Sequence, residues 1–141
     1  MTKKDGWYLS LQDGLVQLIQ IDFRLGLFLS DTSGKAQLYI ETPCRIKRAD
    51  GEVLLTPSES SSLVPILPFF NAKVIGVAIR KTGQLEVEFG NGHSLEVHPD
   101  DSYEAWQLGC SSIGSMFVCS PGGEVSLFQQ PEHLGRRNKK Q

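Results

Sequence analysis

Cysteine is scarce in this chain, with only Cys44, Cys110 and Cys119. An odd number leaves no closed disulfide framework, and no CxxC pair is present, so neither a stapled secreted scaffold nor a cysteine-based zinc site follows. Small buried thiols are the default for so few, with Cys110 and Cys119 candidates for neighbours across a strand pair. Long apolar runs are missing as well. The longest apolar-leaning stretch, Leu15 to Leu29, is interrupted by Gln17, Gln20, Asp22 and Arg24, which excludes a spanning helix there. The opening Met1-Thr2-Lys3-Lys4-Asp5-Gly6-Trp7 has two lysines but no apolar segment behind them, so no secretory signal is expected and the expected location is cytoplasmic.

The third absence is of positive charge. From Thr82 to Gly135 there is no Lys or Arg, while the same stretch carries Glu86, Glu88, Glu96, Asp100, Asp101, Glu104, Glu124 and Glu132. The formal net charge of the whole chain is only −2, because Arg136, Arg137, Lys139 and Lys140 close it. Without those four the balance is 10 basic against 16 acidic residues, or −6. Such a body repels nucleic acid and anionic membranes and attracts basic partners. Residues 131–141 are expected to form a flexible basic tail.

What is present points to strands. The 141 residues are 40% hydrophobic and 21% charged, which suits one folded domain, here expected over residues 1–130. Apolar residues recur at period two or in short runs bounded by Gly, Asp, Asn and Pro. Trp7 to Leu11 reads as a first strand ended by Asp13-Gly14, and Val16 to Phe23 as a second. Leu25–Leu29 and Ala36–Ile40 flank a hairpin loop at Asp31-Thr32-Ser33-Gly34. Cys44 to Arg48 reads as a short edge strand before Asp50-Gly51 and Glu52–Thr56. Thr56-Pro57-Ser58-Glu59 has the residues of a capping box, and Pro65 and Pro68 limit the helix behind it to a turn or two. There Leu63, Ile66, Leu67, Phe69 and Phe70 are expected to plug a core opening. Strands resume at Lys73–Arg80, Gln84–Phe89, His93–Val97, Tyr103–Leu108, Ser115–Cys119 and Glu124–Phe128.

Two stretches, about 14–56 and 72–130, echo each other. At an offset of 58, Val16, Ile19 and Ile21 match Val74, Val77 and Ile79, while Leu27 and Leu29 match Leu85 and Val87. With a slip of one, Leu38 and Ile40 match Leu95 and Val97, and Pro43 and Pro99 close the units. The expected fold is therefore mainly β: two similar antiparallel meanders packed as a small sandwich or half-open barrel, with one short helical segment between them, the alternative being one continuous, strongly curved antiparallel sheet around the helical turn.

No catalytic signature is present: no GxSxG, phosphate-binding loop, HExxH or dinucleotide fingerprint. His93 and His98 lie on opposite faces of one strand, which argues against a shared metal. His98 with Asp100, Asp101 and Glu104 is the one constellation with acid–base or metal potential, and Asp100-Asp101 reads equally as a solvated turn. No enzyme activity, metal or cofactor is expected. The candidate partner-binding set is Tyr103, Glu104 and Trp106, with Asp100, Asp101, Glu86 and Glu88 around it, since an aromatic anchor beside acids suits a basic protein surface. The competing placement puts Trp106 in the core, with Glu104 accepting bonds from a turn.

The segment Tyr103-Glu104-Ala105-Trp106-Gln107-Leu108, followed by Val118-Cys119-Ser120-Pro121-Gly122-Gly123, resembles the C-terminal signature of an uncharacterised bacterial family of small β-rich proteins. Ile21-Asp22-Phe23-Arg24-Leu25 and the Leu-rich segment before Val74 are similar to it too. That resemblance implies no activity. By size and acidity the chain is also similar in type to the immunity proteins that neutralise bacterial toxins. The expected function is a non-enzymatic protein-binding module, an immunity-type inhibitor of a basic toxin. The alternatives are a β-barrel holding a small molecule between the meanders and a homo-oligomeric module, a homodimer joined near Cys44–Arg48. Neither nucleic acid nor membrane is expected as a partner.

Overall fold

The computed structural model describes residues 2–3, 5–111 and 114–129. The expected basic tail at 131–141 lies outside them. Twelve strands form one antiparallel sheet: β1 (Thr2–Lys3), β2 (Gly6–Ile21), β3 (Leu25–Asp31), β4 (Gly34–Ile40), β5 (Cys44–Arg48), β6 (Gly51–Leu55), β7 (Lys73–Arg80), β8 (Leu85–Phe89), β9 (Ser94–Val97), β10 (Trp106–Cys110), β11 (Ser115–Cys119) and β12 (Val125–Gln129). A 3-10 helix, Ser60–Phe69, separates β6 from β7. The spatial order is β12-β11-β10-β4-β3-β2-β7-β8-β9-β5-β6, with β1 paired only to β2. The sheet is mainly β as expected, and it is not closed, since β12 and β6 end it.

One face of most strands is apolar, and the sheet rolls so that this face covers itself. Leu25, Leu27, Leu38, Ile40, Ile46, Val77, Leu85, Val87, Leu95, Val97, Leu108 and Phe117 belong to a single buried cluster. Contacts between distant strands show the roll. Trp7 on β2 meets Phe117 on β11 edge to face, with ring centroids 5.5 Å apart. The Trp106 indole Nε1 on β10 donates to the Gly83 carbonyl, in the β7–β8 turn, at 2.8 Å.

The long β2 replaces two expected strands. Asp13 adopts φ 55 and the β2–β7 register shifts between Ser10 and Gly14, so Asp13-Gly14 forms a bulge rather than a chain reversal. A bulge changes which residues face inward. Trp7 and Leu9 point to the core before it, Val16 after it, and a second shift between Val16 and Leu18 brings Ile19 in.

β7 repeats that device, with a shift between Val74 and Gly76. The inward pair Val16 and Ile19 thus recurs as Val74 and Val77, at the offset of 58 seen in the sequence, whereas Ile21, the counterpart of the buried Ile79, is exposed. The second hairpin departs from that offset. Ile19 pairs with Leu27 and Val16 with Leu29, while Val77 pairs with Val87 and Val74 with Phe89. Leu27 and Leu29 therefore correspond to Val87 and Phe89, two residues later than the sequence match placed them. The longer β7–β8 turn absorbs the difference.

The two meanders lie back to back across β2 and β7, with Leu15 paired to Lys73, its own counterpart at offset 58. Each then exchanges its next strand. β5, which follows β4, pairs with β9, and β10, which follows β9, pairs with β4. β5 is consequently an interior strand, flanked by β9 and β6, and not the edge expected from sequence.

The helical segment also differs from its sequence signature. No side chain caps it; Thr56 to Glu59 forms a turn in which the Glu59 N–H donates to the Thr56 carbonyl at 2.8 Å. The Ser62 hydroxyl accepts from the Thr56 N–H at 2.8 Å. Prolines three apart suit the three-residue repeat of a 3-10 helix. The same repeat sends Leu63, Ile66 and Phe69 into the core, while Leu67 and Phe70 stay exposed.

Candidate functional site

At one end of the sheet three connecting segments meet. The Glu41 N–H donates to the Ala105 carbonyl at 2.9 Å, and the Ala105 N–H donates to that of Cys119 at 3.2 Å. The Gly122 N–H donates to the Asp100 carbonyl at 2.8 Å. These bonds gather Glu41–Pro43, Pro99–Glu104 and Ser120–Glu124 into one rim. The rim contains Glu41, Asp100, Asp101, Glu104 and Glu124 and no Lys or Arg. Four of the five are exposed, and none of the five joins an ion pair among the described residues. Tyr103 stands out of the rim with 68% of its surface exposed.

Asp100 builds this loop. Its Oδ1 accepts from the Ser102 N–H at 2.7 Å and the Tyr103 N–H at 3.1 Å, the geometry of an Asx turn. Its Oδ2 accepts from the Thr42 hydroxyl at 3.5 Å, linking loop to loop. Asp100 therefore spends its carboxylate on shape, while Asp101 and Glu104 are free to face a partner.

The expected set is brought together only in part. Asp100, Asp101, Tyr103 and Glu104 share the rim. Trp106 does not: it is 1% exposed, one of the largest fully buried side chains, and so belongs to the core. The alternation of β10, in which Trp106, Leu108 and Cys110 all point inward, is the physical reason. Glu86 and Glu88 lie on the outward face of β8, away from the rim loops. Glu88 Oε1 accepts the Tyr8 hydroxyl at 2.7 Å, and burial together with that carboxylate raises the Tyr8 pKa to about 12.

Chain-level acidity is also diluted by strand order. β9 neighbours the basic β5, and Lys47 Nζ lies 3.5 Å from Glu96. His98 turns to Glu96 at 3.1 Å rather than to Asp100 and Asp101, which dissolves the expected His–Asp constellation. Burial opposes ionisation of Glu96, but the His98 hydrogen bond and the Lys47 charge outweigh it and hold its carboxyl below the ordinary range.

The thiols sit apart. Cys110 pairs with Ser115 and Cys119 with Trp106, at opposite ends of the β10–β11 hairpin, so the expected neighbours are not neighbours. All three cysteines are free and buried, and burial pushes Cys44 to about 12 and Cys110 to about 11. Among the described residues no group of three His, Cys, Asp or Glu is placed to hold a metal ion. Nor is any helix among them long and apolar enough to cross a membrane.

Sequence reasoning missed Glu41 and Glu124 as members of the rim. It passed over Phe23, which sits 85% exposed at the tip of the β2–β3 turn with φ 63, a strained conformation for a bulky side chain. It passed over Arg48 and weighed His93 only as a metal ligand. The signal was available: Arg48 is in phase with the inward Cys44 and Ile46, and His93 with Leu95 and Val97.

A family model described as a family of unknown function (DUF6188) matches residues 7–129. No curated protein and no solved structure matches the chain.

Proposed function

The chain belongs to this family of unknown function, which lends it no activity, and we propose from its own geometry that it is a non-enzymatic protein-binding module for a basic partner. The observation that carries the proposal is the rim: unpaired Glu41, Asp101, Glu104 and Glu124 around the exposed Tyr103, in three segments bonded backbone to backbone. A carboxylate cluster that joins no ion pair among the described residues steers a cationic surface into contact and raises the association rate in a salt-dependent way. Tyr103 supplies the amphipathic ring that anchors the centre of such an interface. Asp100 pre-shapes the loop, and Trp106 braces it from inside.

The biological setting we propose is an inhibitor of the immunity type, held against a cationic toxin in the bacterial cytoplasm. A ligand held between the two meanders is less favoured, because Trp7 and Phe117 meet edge to face and Trp106 is buried in the same cluster. A homodimer joined through β5 is less favoured too, since both edges of that strand are already paired.

The test is capture from the native cell at low and moderate salt, comparing wild type with an Asp101→Lys, Glu104→Lys, Glu124→Lys variant. A stoichiometric basic protein retained by wild type, released by salt and lost by the variant is the expected result. Equal capture by both, with an unchanged thermal melt, overturns the rim as the interface.

A further inference from the structure

At the far end of β5 and β9 from the acidic rim, the 3-10 helix closes the roll incompletely. A pocket of about 190 Å3 remains between the helix and the β8–β9 turn. Pro65, Pro68 and Phe69 form an apolar wall, and Arg48, Asn91 and His93 form a polar one.

Strand register explains why polar groups lie there. β5 and β9 pair Ile46 with Leu95 and Lys47 with Ser94, so Arg48 and His93 stand just beyond the last pair of the ladder, and both line the pocket. Both occupy the inward phase that carries core residues deeper in the roll. A structural role alone leaves their polar atoms unaccounted for. His93 Nδ1 is buried and has no hydrogen-bond partner among the described residues. A buried ring nitrogen left unpaired is costly, and native structures seldom keep one without a reason. Arg48 joins none of the ion pairs and hydrogen bonds found among the described residues, so its guanidinium is free. The Asn91 side-chain oxygen accepts from the His93 N–H at 2.9 Å, which turns its amide nitrogen into an available donor. No Asp or Glu lines the pocket.

We propose that this pocket binds a small organic carboxylate with a compact apolar body. The guanidinium of Arg48 meets the carboxylate, in the manner that makes arginine the preferred carboxylate receptor. His93, as the tautomer with its proton on Nδ1, and the Asn91 amide supply further donors. The apolar body lies on Pro65, Pro68 and Phe69. A plain inorganic anion would leave that wall wet, and a neutral apolar molecule would leave the donors unpaired. The volume is below that of drug-sized sites and suits a group of about the size of benzoate. The site is independent of the acidic rim, and neither proposal stands or falls with the other.

The experiment is a nuclear magnetic resonance titration of the full chain at fixed pH and ionic strength, with benzoate and isovalerate as probes and inorganic phosphate and benzyl alcohol as comparisons. At least one carboxylate is expected to give saturable shifts at Arg48, Asn91, His93 and Phe69, with a millimolar or tighter Kd. Phosphate, benzyl alcohol, and the Arg48→Gln and His93→Phe variants should each weaken binding about tenfold or more. Arg48→Gln should leave the remaining spectrum in place, since Arg48 is exposed at a strand end, and His93→Phe keeps a flat ring against Phe69. Linear shifts with both carboxylates overturn the site. Equal binding of phosphate overturns the role of the apolar wall, and unchanged binding in Arg48→Gln overturns the carboxylate assignment.

Discussion

Trp106 and Gly83 are joined across the roll: the indole N–H of one ends on the carbonyl of the other at 2.8 Å. Trp106 lies on β10, which pairs with β4 on one flank of the sheet, and Gly83 lies in the β7–β8 turn on the other, so this bond latches one flank over the other. The same carbonyl lies 3.6 Å from the Cys119 sulfur, a weaker second donor. Trp106→Phe keeps most of the buried area but removes the N–H, and is expected to cost about 1–2 kcal/mol. Trp106→Ala leaves a cavity as well and is expected to cost about 3–5 kcal/mol. Urea unfolding of the two variants measures both; equal midpoints for Trp106→Phe and wild type would remove the latch.

Tyr8 lends stability that depends on pH. Its pKa is raised in the fold to about 12, by burial first and by the Glu88 carboxylate second. The folded state therefore holds the phenol proton more tightly than the unfolded state does. That contribution is fully present below the unfolded value near 10 and is lost as pH rises through about 12. Tyr8→Phe should be less stable than wild type by about 1 kcal/mol at pH 8, with the gap closing above pH 10. A gap that stays constant to pH 12 contradicts the Tyr8–Glu88 bond.

The three thiols should be silent in the native state. Each is buried, and burial holds Cys44 near 12 and Cys110 near 11, so little thiolate exists at neutral pH. A disulfide-exchange reagent at pH 8 is expected to label them only at the rate of opening or unfolding, and all three together in denaturant. Rapid labelling of any one in the native protein would place that cysteine at the surface.

Phe23 stores strain without burial. With φ 63 and 85% of its surface exposed, it has neither the backbone preference nor the packing to stabilise the turn. Asn tolerates this conformation better, so Phe23→Asn is expected to raise stability by about 1 kcal/mol and increase the melting temperature. A lower melting temperature would mean that the ring makes contacts that stabilise the fold.

Much of the strand content was legible because period-two alternation is local. Leu25–Leu29, Ala36–Ile40, Leu85–Phe89 and Ser115–Cys119 all fall where the pattern puts them. The failures have local physical causes too. Asp13-Gly14 carries turn residues but is a bulge, because the partner strand β7 continues past it and holds the chain straight. Thr56-Pro57-Ser58-Glu59 has capping-box residues, yet the prolines three apart favour a tighter helix that starts later. Strand order was out of reach, since no local pattern says that β5 seeks β9 rather than an exposed edge. The site suffered accordingly. Tyr103, Asp101 and Glu104 are contiguous and readable, whereas Glu41 and Glu124 join them only through that long-range pairing. The orientation of Trp106 depended on where its strand begins: β10 starts at Trp106 and not at Tyr103 as the pattern placed it, so the faces counted from Tyr103 did not carry over.

The exchange of strands between the two meanders has a consequence during synthesis. When Cys44–Arg48 leaves the ribosome, the β9 strand that will cover its inner flank has not been made, because Val97, the partner of Cys44, lies 53 positions later. β4 waits still longer for β10, since Ile40 pairs with Trp106. Two strand flanks thus stay open until most of the chain is out, a state that invites pairing with other nascent chains. Each half is completed only by the other, so neither meander is a fragment that can fold first and wait. The pairing scheme interleaves the two halves in one sheet, however much they look alike.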